Sequence, residues 1–136
     1  MAEIVIVPSA AAAGVLVADE IVKLISARPD AVLGLATGST PLSVYEALRP
    51  RVAGLDLSRV RGFALDEYVG IDPNHPESYR SVITKEVVEP LGLDPALIHT
   101  PNGDLATISH AGEDYERAIA EAGGIAPHIL GPGTPA

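Results

Sequence analysis

Two stretches of this chain place reactive side chains where apolar runs end. The first is Phe63 to Tyr79, FALDEYVGIDPNHPESY, in which the apolar run stops at Asp66-Glu67-Tyr68 and gives way to a polar, proline-bearing loop. In an open parallel sheet, ligands sit beyond the carboxyl ends of the strands. A carboxylate delivered there and partly withdrawn from water can take a proton from a carbon beside a carbonyl, the step that an aldose–ketose isomerisation requires. Successive strand side chains point to opposite faces, so Asp66 and Glu67 cannot both face a site while the chain stays extended. One of the two is the site candidate; the alternative for Asp66 is a loop cap or a partner for an arginine. Tyr68 follows the carboxylate into the loop, and His75 lies within it.

The second stretch is Leu33 to Pro41, LGLATGSTP, where an apolar run turns directly into a helix. Gly38 permits close backbone approach to a ligand, Thr37, Ser39 and Thr40 supply hydroxyls, and Pro41 suits a first helical position. Unpaired amides at a helix start favour a phosphate. The loop contains neither GxxxxGK nor GxGxxG, so a nucleotide site has little support. The alternative is a plain capped helix start with Thr40 as N-cap.

The elements that must position these residues alternate. Ile4 to Val7 is expected as a strand, and Ser9 as the N-cap of an alanine-rich helix ending near Pro29, whose Val15, Ala18, Ile21, Val22 and Ile25 form one apolar face. Ala31 to Ala36 is expected as a buried strand, Pro41 to Leu48 as a helix and Val60 to Leu65 as the next strand. After the loop Ile71 to Glu77, the pattern predicts a helix from Ser78 to about Glu89, halted by Pro90, and an extended piece around Ala96 to Thr100. A helix over Ser109 to Ala122 stops at Gly123-Gly124, and Pro127 to Leu130 resumes a strand. Such alternation predicts an α/β fold with a mainly parallel sheet, in a single domain over residues 1–136.

Composition agrees: of 136 residues, 47% are hydrophobic and only 4% aromatic, a balance that favours helices on a buried parallel sheet over a β-sandwich. A formal charge of −9 argues against a nucleic-acid partner, which needs clustered lysine and arginine. With no cysteine, disulfides, thiolate catalysis and thiolate zinc sites are excluded. No apolar run approaches the roughly 20 residues that span a bilayer, so no membrane association is expected. No secretory signal is visible, and a cytoplasmic location is expected. His75, His99, His110 and His128 show no metal-ligand spacing on a common helix face. Tyr45, Tyr79 and Tyr115 are expected as packing residues at element edges.

The set LGLATGSTPLSVYEAL, FALDEYVG and HPESY resembles the N-terminal half of the glucosamine-6-phosphate deaminase family, also called glucosamine-6-phosphate isomerase. The resemblance spans nearly the whole chain but only about half of a usual family member. It implies a Rossmann-like three-layer domain, truncated relative to the family. It also implies a reaction in which glucosamine 6-phosphate is opened, isomerised at C1 and C2, and deaminated to fructose 6-phosphate and ammonia. On this resemblance Asp66 is the proton-abstracting base, and Gly38, Ser39 and Thr40 belong to the loop that holds the substrate phosphate. Thr37, Glu67, Tyr68 and His75 stand in matching motifs. No metal or organic cofactor is implied, and the expected partner is a small sugar phosphate.

Family members continue beyond the last strand into Asp-Gly-His and Phe-Asn-Glu-Pro segments, whereas Leu130 to Ala136 only begins that turn. The ring-opening histidine, its carboxylate partners and a phosphate-binding lysine have no counterparts; only Lys23 and Lys85 are present. An uncovered sheet edge is then expected to favour self-association. Two other readings stay open: a sugar-phosphate binding module without turnover, and a 6-phosphogluconolactonase-like hydrolase.

Overall fold

A computed structural model describes residues 4–125 of the chain. Helix α1 spans Ala10–Ala27, and the Ser9 hydroxyl caps it by accepting the amide of Ala12 at 3.1 Å. Strand β1 is Val32–Leu35, helix α2 is Ser39–Arg51 and strand β2 is Arg61–Ala64. Helix α3, Tyr79–Ile83, runs through a π-helical turn, Thr84–Val88, into the short α4, Glu89–Leu91. Strand β3 is Ile98–His99 and helix α5 is Ala111–Glu121. The strands are all parallel in the order β1-β2-β3, with Leu35 opposite Ala64 and Phe63 opposite His99.

The two sheet faces are covered differently. Leu33, Leu35 and Ala64 join Ala18, Ile21, Ile25, Val44, Leu48, Ile83 and Val87 in one core, so α1, α2 and the α3–α4 helical run cover the same face. Phe63 alternates to the other face, where it is buried, stacks on His99 at 4.9 Å and meets the edge of Tyr115 from α5 at 5.6 Å. Helices on both faces of a parallel sheet make the three-layer arrangement that the alternating pattern predicts.

Two expectations are corrected. Ile4 to Val7 forms no strand: Ile4, Val5 and Ile6 are 87%, 56% and 92% exposed, because nothing among the described residues lies alongside to pair with them. β-branched residues favour a strand only where a pleated, half-buried surface receives them. Nor does Pro90 halt its helix. A proline inside an α-helix loses one hydrogen bond and clashes with the carbonyl four residues back. Here the preceding turn is widened, with the Glu89 amide donating to Thr84 O, and the helical path passes Pro90. It ends at Leu91, where Gly92 adopts φ 70°, ψ 34°. The expected strand Pro127 to Leu130 and His128 lie outside the described residues. No helix among the described residues is long and apolar enough to cross a membrane.

Helices α1 and α2 touch backbone to backbone at Gly14, where a Cβ would lie 2.7 Å from the Ser43 carbonyl oxygen. Glycine to alanine inside a helix ordinarily gains about 0.5–1 kcal/mol, whereas overpacking costs about 1–3 kcal/mol. Gly14→Ala is therefore expected to destabilise by about 1 kcal/mol or more, the steric term prevailing. In Gly112→Ala, where the new Cβ meets nothing within 4 Å, the propensity gain stands alone. Urea denaturation of the two variants should give opposite signs; equal signs would refute this packing account.

Candidate functional site

The loops carrying the candidate residues leave the sheet side by side. The Leu65 amide donates to the Leu35 carbonyl at 3.1 Å, so the chain enters Ala36-Thr37 and Asp66 from neighbouring positions at the carboxyl ends of β1 and β2. Adjacent strands lie about 4.8 Å apart, which brings the two loops within reach of one small ligand.

At the first loop, Gly38 is the residue before α2, at φ 119°, and offers no side-chain cap. Only glycine adopts that conformation without strain. Thr40 is thus not the N-cap that a plain helix start would require; it lies in the first turn, and Pro41 is third rather than first. The Leu42 amide donates to Gly38 O at 3.1 Å, while the amides of Ser39 and Thr40 have no acceptor among the described residues. Gly38, Ser39 and Thr40 are exposed and Thr37 is half-buried. Such a turn offers two free N–H groups and hydroxyls to an anion. The loop is pinned from behind: Ser43 Oγ donates to Thr40 O at 2.6 Å, and the buried Tyr45 hydroxyl donates to Ala36 O at 2.6 Å and accepts from Ala36 N at 3.1 Å. Burial pushes the Tyr45 phenol up to about 12, the bond to Ala36 opposing and the Glu86 carboxylate adding, so it stays a neutral donor near pH 7.

At the second loop, β2 has ended at Ala64 and the chain bends at Leu65, so the two carboxylates part along the loop's own path rather than by strand alternation. Asp66 is exposed. Glu67 turns into the loop: Oε1 accepts the amides of Tyr68 and Tyr79, both at 2.9 Å, and Oε2 accepts the amide of Arg80 at 3.0 Å. Its charge therefore closes the loop onto the start of α3, with Ser78 capping the same helix through Ser81 N at 3.1 Å. His75 is exposed and its Nδ1 accepts the Glu77 amide at 3.0 Å, which ties it to the loop backbone.

Tyr79 is more than the packing residue that its position at a helix start predicts. Its ring lies 4.7 Å from that of Tyr68, and its hydroxyl donates to the Tyr68 hydroxyl at 3.2 Å. That shared hydrogen bond, then desolvation and the negative charges of Asp66 and Glu67, push the Tyr79 phenol up to about 12. The pair thus stands in the field of the candidate base. The final tyrosine of HPESY was the available signal. Tyr115 does pack as expected, its hydroxyl donating to Ala64 O at 2.6 Å and burial raising its pKa.

A cavity of about 690 Å³ opens nearby, between the loops after β2 and β3, with Glu67, Asp72, Arg80, His99 and Asn102 on its walls. These two loops are laced by the Gly70 amide on Gly103 O at 2.7 Å. Glu67 is the one sequence-derived candidate on this cavity's wall; neither Asp66 nor the Gly38–Thr40 turn lines it, so these form a separate, open shelf at the ends of β1 and β2.

Fold and shelf together define a Rossmann-like α/β domain with a free-amide turn and a carboxylate at neighbouring strand ends. Within that class the chain belongs to the family described as glucosamine-6-phosphate isomerases/6-phosphogluconolactonase, which matches residues 8–135. It is 52% identical over 134 residues to glucosamine-6-phosphate deaminase of Arthrobacter sp. (strain FB24), covering 97% of this chain and 52% of that protein. It is 54% identical to the same-named protein of Bifidobacterium longum (strain DJO10A), covering 98% and 53%. The solved structure of a monomeric glucosamine-6-phosphate deaminase superposes with a TM-score of 0.81 at 26% identity, over 88% of this chain and 50% of that one. A 6-phosphogluconolactonase from Trypanosoma cruzi, with a TM-score of 0.69 at 19% identity over 89% and 50%, shares the fold. The chain spans about half the length of the curated relatives it matches.

Proposed function

We propose that this chain carries the phosphate loop and the proton-transfer carboxylate of an enzyme that converts glucosamine 6-phosphate to fructose 6-phosphate and ammonia. The observation that carries this reading is the free-amide turn at Ser39-Thr40 beside the end of the strand that delivers Asp66. In this reading the Ser39 and Thr40 amides and the neighbouring hydroxyls hold the phosphate, and Asp66 moves a proton between C2 and C1 of the opened sugar. Residues that open the ring are supplied by the part of the relatives that this chain does not span.

Titration of the labelled chain with glucosamine 6-phosphate, followed by amide NMR, tests the reading. The Gly38, Ser39 and Thr40 amides should shift together and saturate, and Ser39→Ala should weaken binding by about tenfold, the worth of a charge-assisted hydrogen bond. Shifts confined to residues around Arg80, His99 and Asn102 would place the ligand in the other cavity and refute the assignment.

A further inference from the structure

We infer that Tyr45 is a positioning residue for the phosphate loop: its hydroxyl occupies the last hydrogen-bonding rung on the outer edge of β1, ends the strand there, and holds the Thr37–Thr40 turn in its ligand-ready shape. This rests on the phosphate-loop reading above for its functional consequence.

Successive residues of β1 turn their backbone polar groups to opposite edges of the strand. Ala31 O, just before β1, accepts the amide of Arg61 in β2, and Leu35 O accepts that of Leu65 just after β2, so the odd-numbered residues along β1 bond inward. In an extended strand the polar groups of the intervening residues point the other way, so those of Val32, Gly34 and Ala36 face the outer edge. No strand lies on that edge among the described residues. A bare edge of this kind invites pairing, and a strand added there would draw the chain beyond Ala36 into the sheet.

Tyr45 prevents this at one rung. It donates to Ala36 O at 2.6 Å and accepts from Ala36 N at 3.1 Å, so a single hydroxyl supplies both bonds that a neighbouring strand would supply. The circuit is short: Ala36, the turn through Gly38 at φ 119°, two turns of α2, and back through the phenol to Ala36. The ring is buried between α2 and the sheet, so the hydroxyl cannot swing away without opening the core. Because the strand is closed at Ala36, Thr37 and Gly38 are free to turn, and the Ser39 and Thr40 amides stay unpaired and point outward.

Amide hydrogen exchange read by NMR, with a parallel titration, tests this on the intact chain. In the wild type, Ala36 should exchange at least tenfold more slowly than Gly34, which shares its edge but lacks the phenol. In Tyr45→Phe, which keeps the ring, exchange at Ala36, the one amide of the loop that the phenol protects, should rise about tenfold, the amide resonances of Thr37 to Thr40 should shift, and the Kd for glucosamine 6-phosphate should rise about tenfold. Tyr115→Phe, which removes another, partly buried hydroxyl from backbone carbonyls, should leave Ala36 exchange and Kd within twofold. The inference is overturned if Ala36 and Gly34 exchange alike in the wild type, if Tyr45→Phe leaves the loop unchanged, or if Tyr115→Phe alters it equally. If the wild type binds no sugar phosphate, the functional reading falls, and the exchange measurements alone still decide whether Tyr45 holds the loop.

Discussion

Glu67→Ala is expected to lower the stability of the chain by about 2–3 kcal/mol, with a thermal midpoint lower by roughly 8–12 °C. One carboxylate accepts three backbone amides, from Tyr68, Tyr79 and Arg80, and so joins the end of β2 to the start of α3 across the whole intervening loop. Bonds to a charged acceptor are worth about 1.5–3 kcal/mol each, but these three share one group and are half exposed, so they do not sum. Removing the acceptor leaves the Tyr79 amide, in a partly buried setting, without a partner. Glu67→Gln should recover only part of the loss, because one terminal atom becomes a donor facing a donor. Circular dichroism melts of the two variants check this; midpoints within 2 °C of wild type, about the shift from half a kcal/mol, would show that the loop is held otherwise.

The same residue shows how far reading the chain alone could go. The alternation rule treats Asp66 and Glu67 as strand residues, whereas β2 ends at Ala64; which amides Glu67 accepts depends on where Tyr79 and Arg80 arrive, a tertiary fact. The Ser9 cap, the apolar face of α1 and the glycine stop after α5 are local and were legible. Gly123 and Gly124 take φ 103° and 84°, as a helix stop requires. Ile4 to Val7 misled because β-branched composition reports a fit to a partner surface, and no partner is present among the described residues. Pro90 misled because the rule against helical proline assumes regular α-turns, and a π-turn relieves the clash. Thr40 reads as a good N-cap on residue type, yet the left-handed freedom of Gly38 starts the helix earlier. The Tyr115 hydroxyl bond could not be foreseen, since it reaches backbone from a sequence-distant helix, and the Tyr45 bond, though local in sequence, depends on how α2 packs against the end of β1.

Asp66→Asn carries the largest expected effect on chemistry. A positioned general base contributes about a hundredfold to ten-thousandfold in rate, and asparagine keeps the size of the side chain while removing its basicity. Asp66 is exposed and accepts no hydrogen bond among the described residues, so the substitution should leave stability within about 0.5 kcal/mol. Loss of chemistry without loss of fold separates this role from that of Glu67, whose removal should affect both.

Fructose 6-phosphate offers the most direct test, because it opens spontaneously in water and so reports proton transfer at C1 without requiring assisted ring opening. The measurement is incorporation of solvent deuterium at C1 of fructose 6-phosphate in the presence of ammonium, which restores the nitrogen at C2 that the reverse reaction requires, followed by NMR with the wild-type chain and with Asp66→Asn. Proton transfer by Asp66 predicts incorporation above the buffer rate in the wild type and a fall of at least about a hundredfold of that excess in the variant. Incorporation at the buffer rate in the wild type, or equal incorporation by the two chains, would contradict it.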